Sequence, residues 1–228
     1  METLTQSAPT LTTTQKKEFD DNGFLVVPGL ISGDLLKNIQ KGYAKTVAGE
    51  IESEDWANQF KPGQLLQLSG PSKNLKELQG EEHLDLMVEV ARQLFDESVC
   101  FWYDQLIFKP AGNPWETLWH QDAGYWKNMP DDRPAVTAWL AVEDVAEDMG
   151  CMSFVPGSHK EKRIEHRDAS DDNPISGALQ AVCDPDEVVK VPLRAGDVSF
   201  HHKYTLHYTS GNHGKADRCG LVNHLRGM

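Results

Sequence analysis

The residues best suited to chemistry form the tetrapeptide Trp119-His120-Gln121-Asp122. In an extended chain residues two apart point the same way, so the His120 imidazole and the Asp122 carboxylate share a face. Together they are half of a first-row metal site. H-x-D is short enough to arise by chance, so a third ligand must come from elsewhere. Candidates crowd near the C-terminus: His201, His202 and His207, with His213 a little beyond. Two histidines and one carboxylate leave an octahedral ion three adjacent open positions. That suits non-haem Fe(II) chemistry with a bidentate cosubstrate and O2. The chain has nine histidines, a moderate excess, so surface or hydrogen-bonding roles stay open for them. Eleven residues after His207, Arg218 begins the last apolar run. Its guanidinium offers a bidentate fork to a carboxylate, the anchor that a metal-chelating dicarboxylate needs at its far end.

These residues need strands to hold them. Short apolar runs follow one another from residue 100: 100–108, 118–122, 136–142, 151–155, 188–193, 198–202 and 219–225. Turn signals such as Pro110-Ala-Gly112, Pro156-Gly157 and Ala195-Gly-Asp197 separate them. Helices are expected only earlier, over 14–21, after an N-cap at Ser32, and over 84–95, with a strand at 24–27. The pattern predicts a mostly β, α+β fold: an antiparallel sandwich or jelly roll with N-terminal helices packed outside. Residues 1–12 read as a flexible tail, and 13–228 as one domain with its jelly-roll core over about 100–228. The polar stretch 49–80 reads as a long surface segment of the kind that forms lids. Residues 159–180, charged and irregular, read as a surface insertion.

Composition narrows the function. The 228 residues carry 35 acids and 22 bases, a formal net charge of −13. Such a surface repels phosphate backbones and argues against nucleic acid. No stretch approaches the roughly 20 apolar residues of a membrane span, and Met1–Thr14 lacks the features of a signal peptide. A cytoplasmic protein acting on a small molecule, with no membrane partner, is the expectation. The four cysteines, at 100, 151, 183 and 219, form no metal or disulfide pattern and read as reduced.

With these motifs in place the chain resembles the phytanoyl-CoA dioxygenase family of Fe(II)/2-oxoglutarate oxygenases, which includes ectoine hydroxylase. The resemblance runs from about Phe19 to the C-terminus. It rests on Phe19–Gly29, Leu106-Ile-Phe-Lys-Pro110, Trp119–Asp122, Gly150–His159, and Gly196-Asp197 through Arg218, all in the family's order. It implies a double-stranded β-helix, with His120, Asp122 and His207 as the iron triad and Fe(II), 2-oxoglutarate and O2 as cofactor and cosubstrates. Arg218 and Thr209 match the residues that hold the far carboxylate of 2-oxoglutarate. Gln105 and Trp139 fall where the family lines the cosubstrate pocket, although Trp139 serves equally well as core. His202 matches a histidine that supports the site without ligating, and His159 belongs to a structural turn. Tyr125 and Trp126 border the pocket mouth, as substrate contacts or as lid packing. The carboxylate at 122 disfavours halogenation, for which the related halogenases have Gly or Ala. The implied reaction is oxidation of a C–H bond, by hydroxylation or the dealkylation or desaturation that follows from it. The expected substrate is a small amino-acid-derived or natural-product metabolite. Two alternatives remain: a redox-inert jelly-roll hydrolase or isomerase, and a non-catalytic binding protein on the same scaffold.

Overall fold

A computed structural model describes residues 6–50, 65–79, 82–169, 173 and 177–228. The expected helices form as α1 (Thr13–Asn22), α2 (Gly33–Val47) and α3 (Glu82–Phe95). A capping box opens α1: Thr12 accepts from the Gln15 amide while Gln15 reaches back to the Thr12 amide. Gly23, at φ 80°, ends it in the left-handed conformation that favours glycine. An added Cβ there would also strike His159 and Thr205.

Among the described residues there are twelve strands. They are β1 (Phe24–Val27), β2 (Leu66–Ser69), β3 (Val99–Lys109), β4 (Thr117–His120), β5 (Ala135–Ala141), β6 (Met152–Phe154), β7 (His166–Asp168), β8 (Leu179–Ala181), β9 (Val189–Val191), β10 (Val198–His202), β11 (His207–Thr209) and β12 (Arg218–Gly227). A six-stranded sheet runs β1-β10-β5-β12-β3-β2 and a four-stranded sheet β4-β11-β6-β9, every pairing antiparallel. This is the expected jelly roll, with β7 and β8 as a separate hairpin.

The large sheet is covered on both faces, so its central strands are buried throughout. Its outer face sends Leu106, Phe108, Leu140, Phe200 and Leu221 into a core shared with Phe19 of α1, Ile39 and Tyr43 of α2, and Met87 and Val90 of α3. Between the sheets a second core gathers Phe24, Trp139, Met152, Phe154 and Val222. Alternation then fixes the rest: residues of β3, β5, β10 and β12 that do not face the helices face the inter-sheet space.

Two expectations need correction. Residues 6–12 are not loose. Leu11 is buried, Gln6 donates to the Leu30 carbonyl, and Gln93 binds both the Leu11 amide and the Pro9 carbonyl. Residues 1–5 of the expected tail, and 51–64 of the expected lid, lie outside the described residues. The rest of that lid, 65–79, is not a surface loop. Leu66 and Leu68 lie in β2 and pair with β3, while Leu75 and Leu78 join the helix-side core. The apolar residues are there, but the four-residue strand is too short to show a period. In the expected insertion only β7, β8 and their approaches are described.

Candidate metal centre

The ligand atoms of His120, Asp122 and His207 lie within 4.8 Å of one another, and all three residues are buried. His207 and His120 are cross-strand partners on β11 and β4. Strand pairing ends at His120, and Asp122 opens a one-turn helix, Asp122–Tyr125. The extended Gln121 between them (φ −110°, ψ 138°) keeps the alternation for one more residue.

The protonation pattern follows from the contacts. Each metal-side histidine has its Nδ1 against the carbonyl two residues earlier: His120 on Leu118 at 2.7 Å, His207 on Thr205 at 2.9 Å. A carbonyl only accepts, so both rings carry the proton on Nδ1 and leave the Nε2 lone pair free. Those lone pairs face Asp122 Oδ1 at 3.8 and 3.6 Å. Three lone-pair atoms converging with no proton between them repel one another, and a divalent cation relieves that repulsion. The donor set therefore fits an Fe(II) ion. Burial pushes His207 well below its ordinary range, with His120 and His201 adding to the effect, and burial lowers His120 too. Burial alone would raise Asp122, but His207 and His201 outweigh it and hold the carboxyl well below its usual range. Its other oxygen, Oδ2, accepts from the Thr137 hydroxyl and lies 3.2 Å from His201 Nε2. Oδ1 is thus left for the metal.

His201, and not His202, faces the cluster. On β10 the side chains of Val198 and Phe200 face the helices, and His202 follows them. It packs against Phe95 and His159, while His201 faces the site. The expectation for His202 is off by one residue, hence by one face. His213 is exposed, away from the cluster, and its backbone amide bonds the Asp148 carbonyl.

The cavity holding these groups has a volume of about 1130 Å³, and Arg218, Thr209, Gln105, Trp139, Tyr125 and Trp126 all line it. Arg218 is 1% exposed and stacks 4.6 Å from the Trp139 ring, yet its Nε and Nη2 find no hydrogen-bond partner. Gly220 makes that stacking possible, because a Cβ there would lie 2.2 Å from the Trp139 indole. Beside Arg218 in the β3–β12 register stands Lys109, read in the sequence only as part of Leu106–Pro110 and given no role there. Its Nζ donates to Thr209 Oγ1 at 2.7 Å and to the Ser210 carbonyl at 2.8 Å. The Thr209 hydroxyl, having accepted, keeps its proton to give. A buried guanidinium with two orphaned nitrogens and a free hydroxyl proton, backed by the charge of Lys109 whose own donors go to Thr209 and Ser210, form a site that a carboxylate satisfies. Other wall residues that the sequence did not single out are Tyr103, Thr137 and His224.

A jelly roll with a buried two-histidine, one-carboxylate cluster beside a carboxylate site defines the non-haem iron oxygenase class. The profile of the phytanoyl-CoA dioxygenase (PhyH) family matches residues 19–220. The chain belongs to that family, and with it to the iron- and 2-oxoglutarate-dependent dioxygenases. Among curated relatives, a probable alpha-ketoglutarate-dependent hypophosphite dioxygenase of Stutzerimonas stutzeri is 24% identical over 221 residues, covering 91% of this chain and 76% of that protein. Among solved structures, EvdO2 from Micromonospora carbonacea var. aurantiaca superposes with TM-score 0.83 at 25% identity, covering 97% of this chain and 93% of its own. SnoK, a non-haem alpha-ketoglutarate-dependent carbocyclase from nogalamycin biosynthesis, gives 0.72 at 25% identity, covering 97% and 87%. Among the described residues no helix is long and apolar enough to cross a membrane.

Proposed function

We propose that His120, Asp122 and His207 hold the iron, that Arg218, Lys109 and Thr209 bind the distal carboxylate of 2-oxoglutarate, and that the enzyme oxidises a C–H bond of a small organic molecule. Iron, 2-oxoglutarate and O2 together supply the oxidant, with succinate and CO2 as co-products and a hydroxylated carbon as the simplest outcome. The chain's own part is to bind, orient and exclude water. The two Nδ1–carbonyl bonds aim the imidazoles, Thr137 and His201 turn Asp122 so that one oxygen faces the metal, and the deep cations fix the cosubstrate's tail.

The observation that carries this reading is the unpartnered Arg218 in the cavity of the His-Asp-His cluster. A redox-inert hydrolase on this scaffold has no use for a buried carboxylate anchor. The substrate enters past the exposed Tyr125, and the buried Trp126 lines the cavity further in. Glu116 and the ligand Asp122 are the acids lining the cavity among the described residues, and the deep-end cations are committed to the cosubstrate. Such a wall favours an uncharged or cationic molecule, in keeping with a natural-product or amino-acid-derived substrate.

The test is anaerobic. Fe(II) and then 2-oxoglutarate are added to metal-free protein, and a weak visible charge-transfer band is expected. Asp122→Ala and His207→Ala should abolish the band while leaving circular dichroism unchanged. Arg218→Met should keep the band but require roughly 10–100-fold more 2-oxoglutarate, the loss expected for a charged bidentate contact. Failure of the wild-type protein to form the band while it binds Fe(II) defeats the assignment.

A further inference from the structure

Behind Asp122 a chain of buried hydrogen bonds leads to the substrate side of the cavity. Thr137 and His224 are cross-strand partners on β5 and β12, and Tyr103 lies opposite His224 on β3. The Thr137 hydroxyl contacts Asp122 Oδ2 on one side and His224 Nδ1, at 2.9 Å, on the other. His224 Nε2 in turn lies 3.3 Å from the position of Gln105 Oε1, which the amide nitrogen takes if the side chain is turned over. The His224 ring is 4% exposed, stacked 4.2 Å from Tyr103 and met edge-on by Trp126.

Proton counting fixes the direction of every link. A carboxylate accepts only, so the single Thr137 proton goes to Asp122. Thr137 then meets Nδ1 as an acceptor, so Nδ1 carries the proton of His224. Burial pushes this imidazole down to about 4, so it is neutral and Nε2 carries a lone pair. Of the two ends of the Gln105 amide only the NH2 can meet a lone pair, and amide orientation is assigned from such networks. The amide nitrogen therefore faces His224, and the carbonyl oxygen is left to the cavity that Gln105 lines.

We propose that His224 is a specificity-determining positioning residue: it fixes the Gln105 amide so that an oxygen acceptor faces the substrate, selecting a molecule with an O–H or N–H donor near the carbon that is oxidised. The inference rests on the oxygenase reading above and deepens it. Gln105 stands four residues from Lys109 on β3, about 13 Å at roughly 3.3 Å per residue. That separates it along β3 from the cations that hold the cosubstrate's tail. A carbonyl oxygen also repels a carboxylate, which assigns Gln105 to the substrate in place of the cosubstrate.

The first experiment needs neither iron nor 2-oxoglutarate. Full-length protein carrying 15N-histidine is loaded with Zn(II), and the His224 nitrogens are assigned by their loss in His224→Asn. The expected result is the Nδ1–H tautomer; an Nε2–H ring or an imidazolium overturns the proposal. The second uses anaerobic enzyme with Fe(II) and 2-oxoglutarate, titrated with 4-phenylcyclohexanol and with 1-fluoro-4-phenylcyclohexane, in which a fluorine replaces the donor. The alcohol should perturb the charge-transfer band at a concentration at least about tenfold lower than the fluoride. The ratio should fall to about one in His224→Phe, which keeps the stacking, and in His224→Asn, which keeps a donor for Thr137 but cannot reach Gln105. Equal responses in the wild type, including none to either probe, overturn the proposal, as does a ratio that survives in a folded variant. Absence of the band itself would instead defeat the oxygenase assignment, with the tautomer still deciding the chain.

Discussion

Lys109 shows how burial beside a like charge can write a pH dependence. Desolvation, and then the neighbouring Arg218, push its ammonium down to about 6. An arriving carboxylate stabilises the charged form, so the liganded lysine keeps its proton to higher pH than the free one. Above about pH 6, binding therefore takes up a proton, and 2-oxoglutarate affinity should fall as pH rises, by at most about tenfold per unit. Calorimetry in two buffers of different ionisation enthalpy measures the uptake directly. Lys109→Met should remove it, and an undiminished uptake in that variant would place the titrating group elsewhere. At this scale much of the candidate site was legible. His120, Asp122, His207, Arg218 and Thr209 carry chemistry that apolar strands do not otherwise need, and all five line one cavity. The histidine pair at 201 and 202 was misread because one residue changes the face. Its phase was available: Val198 and Phe200 set the apolar, helix-covered face, and His202 lies in step with them. Lys109, Thr137 and His224 read as ordinary strand residues until their partners across the sheet are known.

The elements explain how a short tetrapeptide becomes a rigid centre. Between the two proposed ligands, Gln121 turns away from the His-Asp-His cluster. Its amide donates to the Lys162 carbonyl at 2.7 Å and the Tyr204 carbonyl at 2.8 Å, and accepts from the Ile164 amide at 3.0 Å. Its backbone amide also donates to His166 Nε2. One side chain thus ties the ligand turn to the approach to β7 and to the turn before β11. Gln121→Leu, similar in size, leaves those three backbone groups without this partner and should cost roughly 2–4 kcal/mol. Chemical denaturation reads that loss, and an unchanged midpoint with an unchanged slope would refute the clamp. A second element-level test is Gly220→Ala, whose Cβ must displace the Trp139 indole from beneath Arg218. Overpacking of this kind costs about 1–3 kcal/mol, and the apparent KM for 2-oxoglutarate should rise while the iron affinity holds. The strands of the sandwich were legible from alternation. The three-residue β11 was not, although it carries His207, because so short a run without consecutive apolar residues does not stand out as a strand. The same holds for β2, whose burial depends on pairing with a distant strand.

For the whole molecule, the sandwich divides labour between its two faces: the outer face of the large sheet meets the helices and supplies a dry core, freeing the inner face to carry polar groups. The inter-sheet space is then apolar at one end, around Val145 and Leu193, and chemically active at the other. Electrostatics over this shape bears on what can enter. The chain's formal charge is −13, Glu116 lines the cavity, and the exposed Trp115 and Tyr125 border it. An acyl-coenzyme A ester, like the substrate in the family's name, brings several phosphate charges to a cavity whose deep cations are already engaged. We therefore expect acyl-coenzyme A esters to leave 2-oxoglutarate consumption at its basal rate, and uncharged ring-containing molecules of similar apolar size to stimulate it. Salt separates charge from shape: if repulsion is what excludes the thioester, raising the salt concentration should partly relieve it, since screening acts on exposed charges. Strong stimulation by an acyl-coenzyme A at low salt, fading as salt is added, would show instead that cations at the mouth recruit the phosphates, and the uncharged-substrate reading would fall with it.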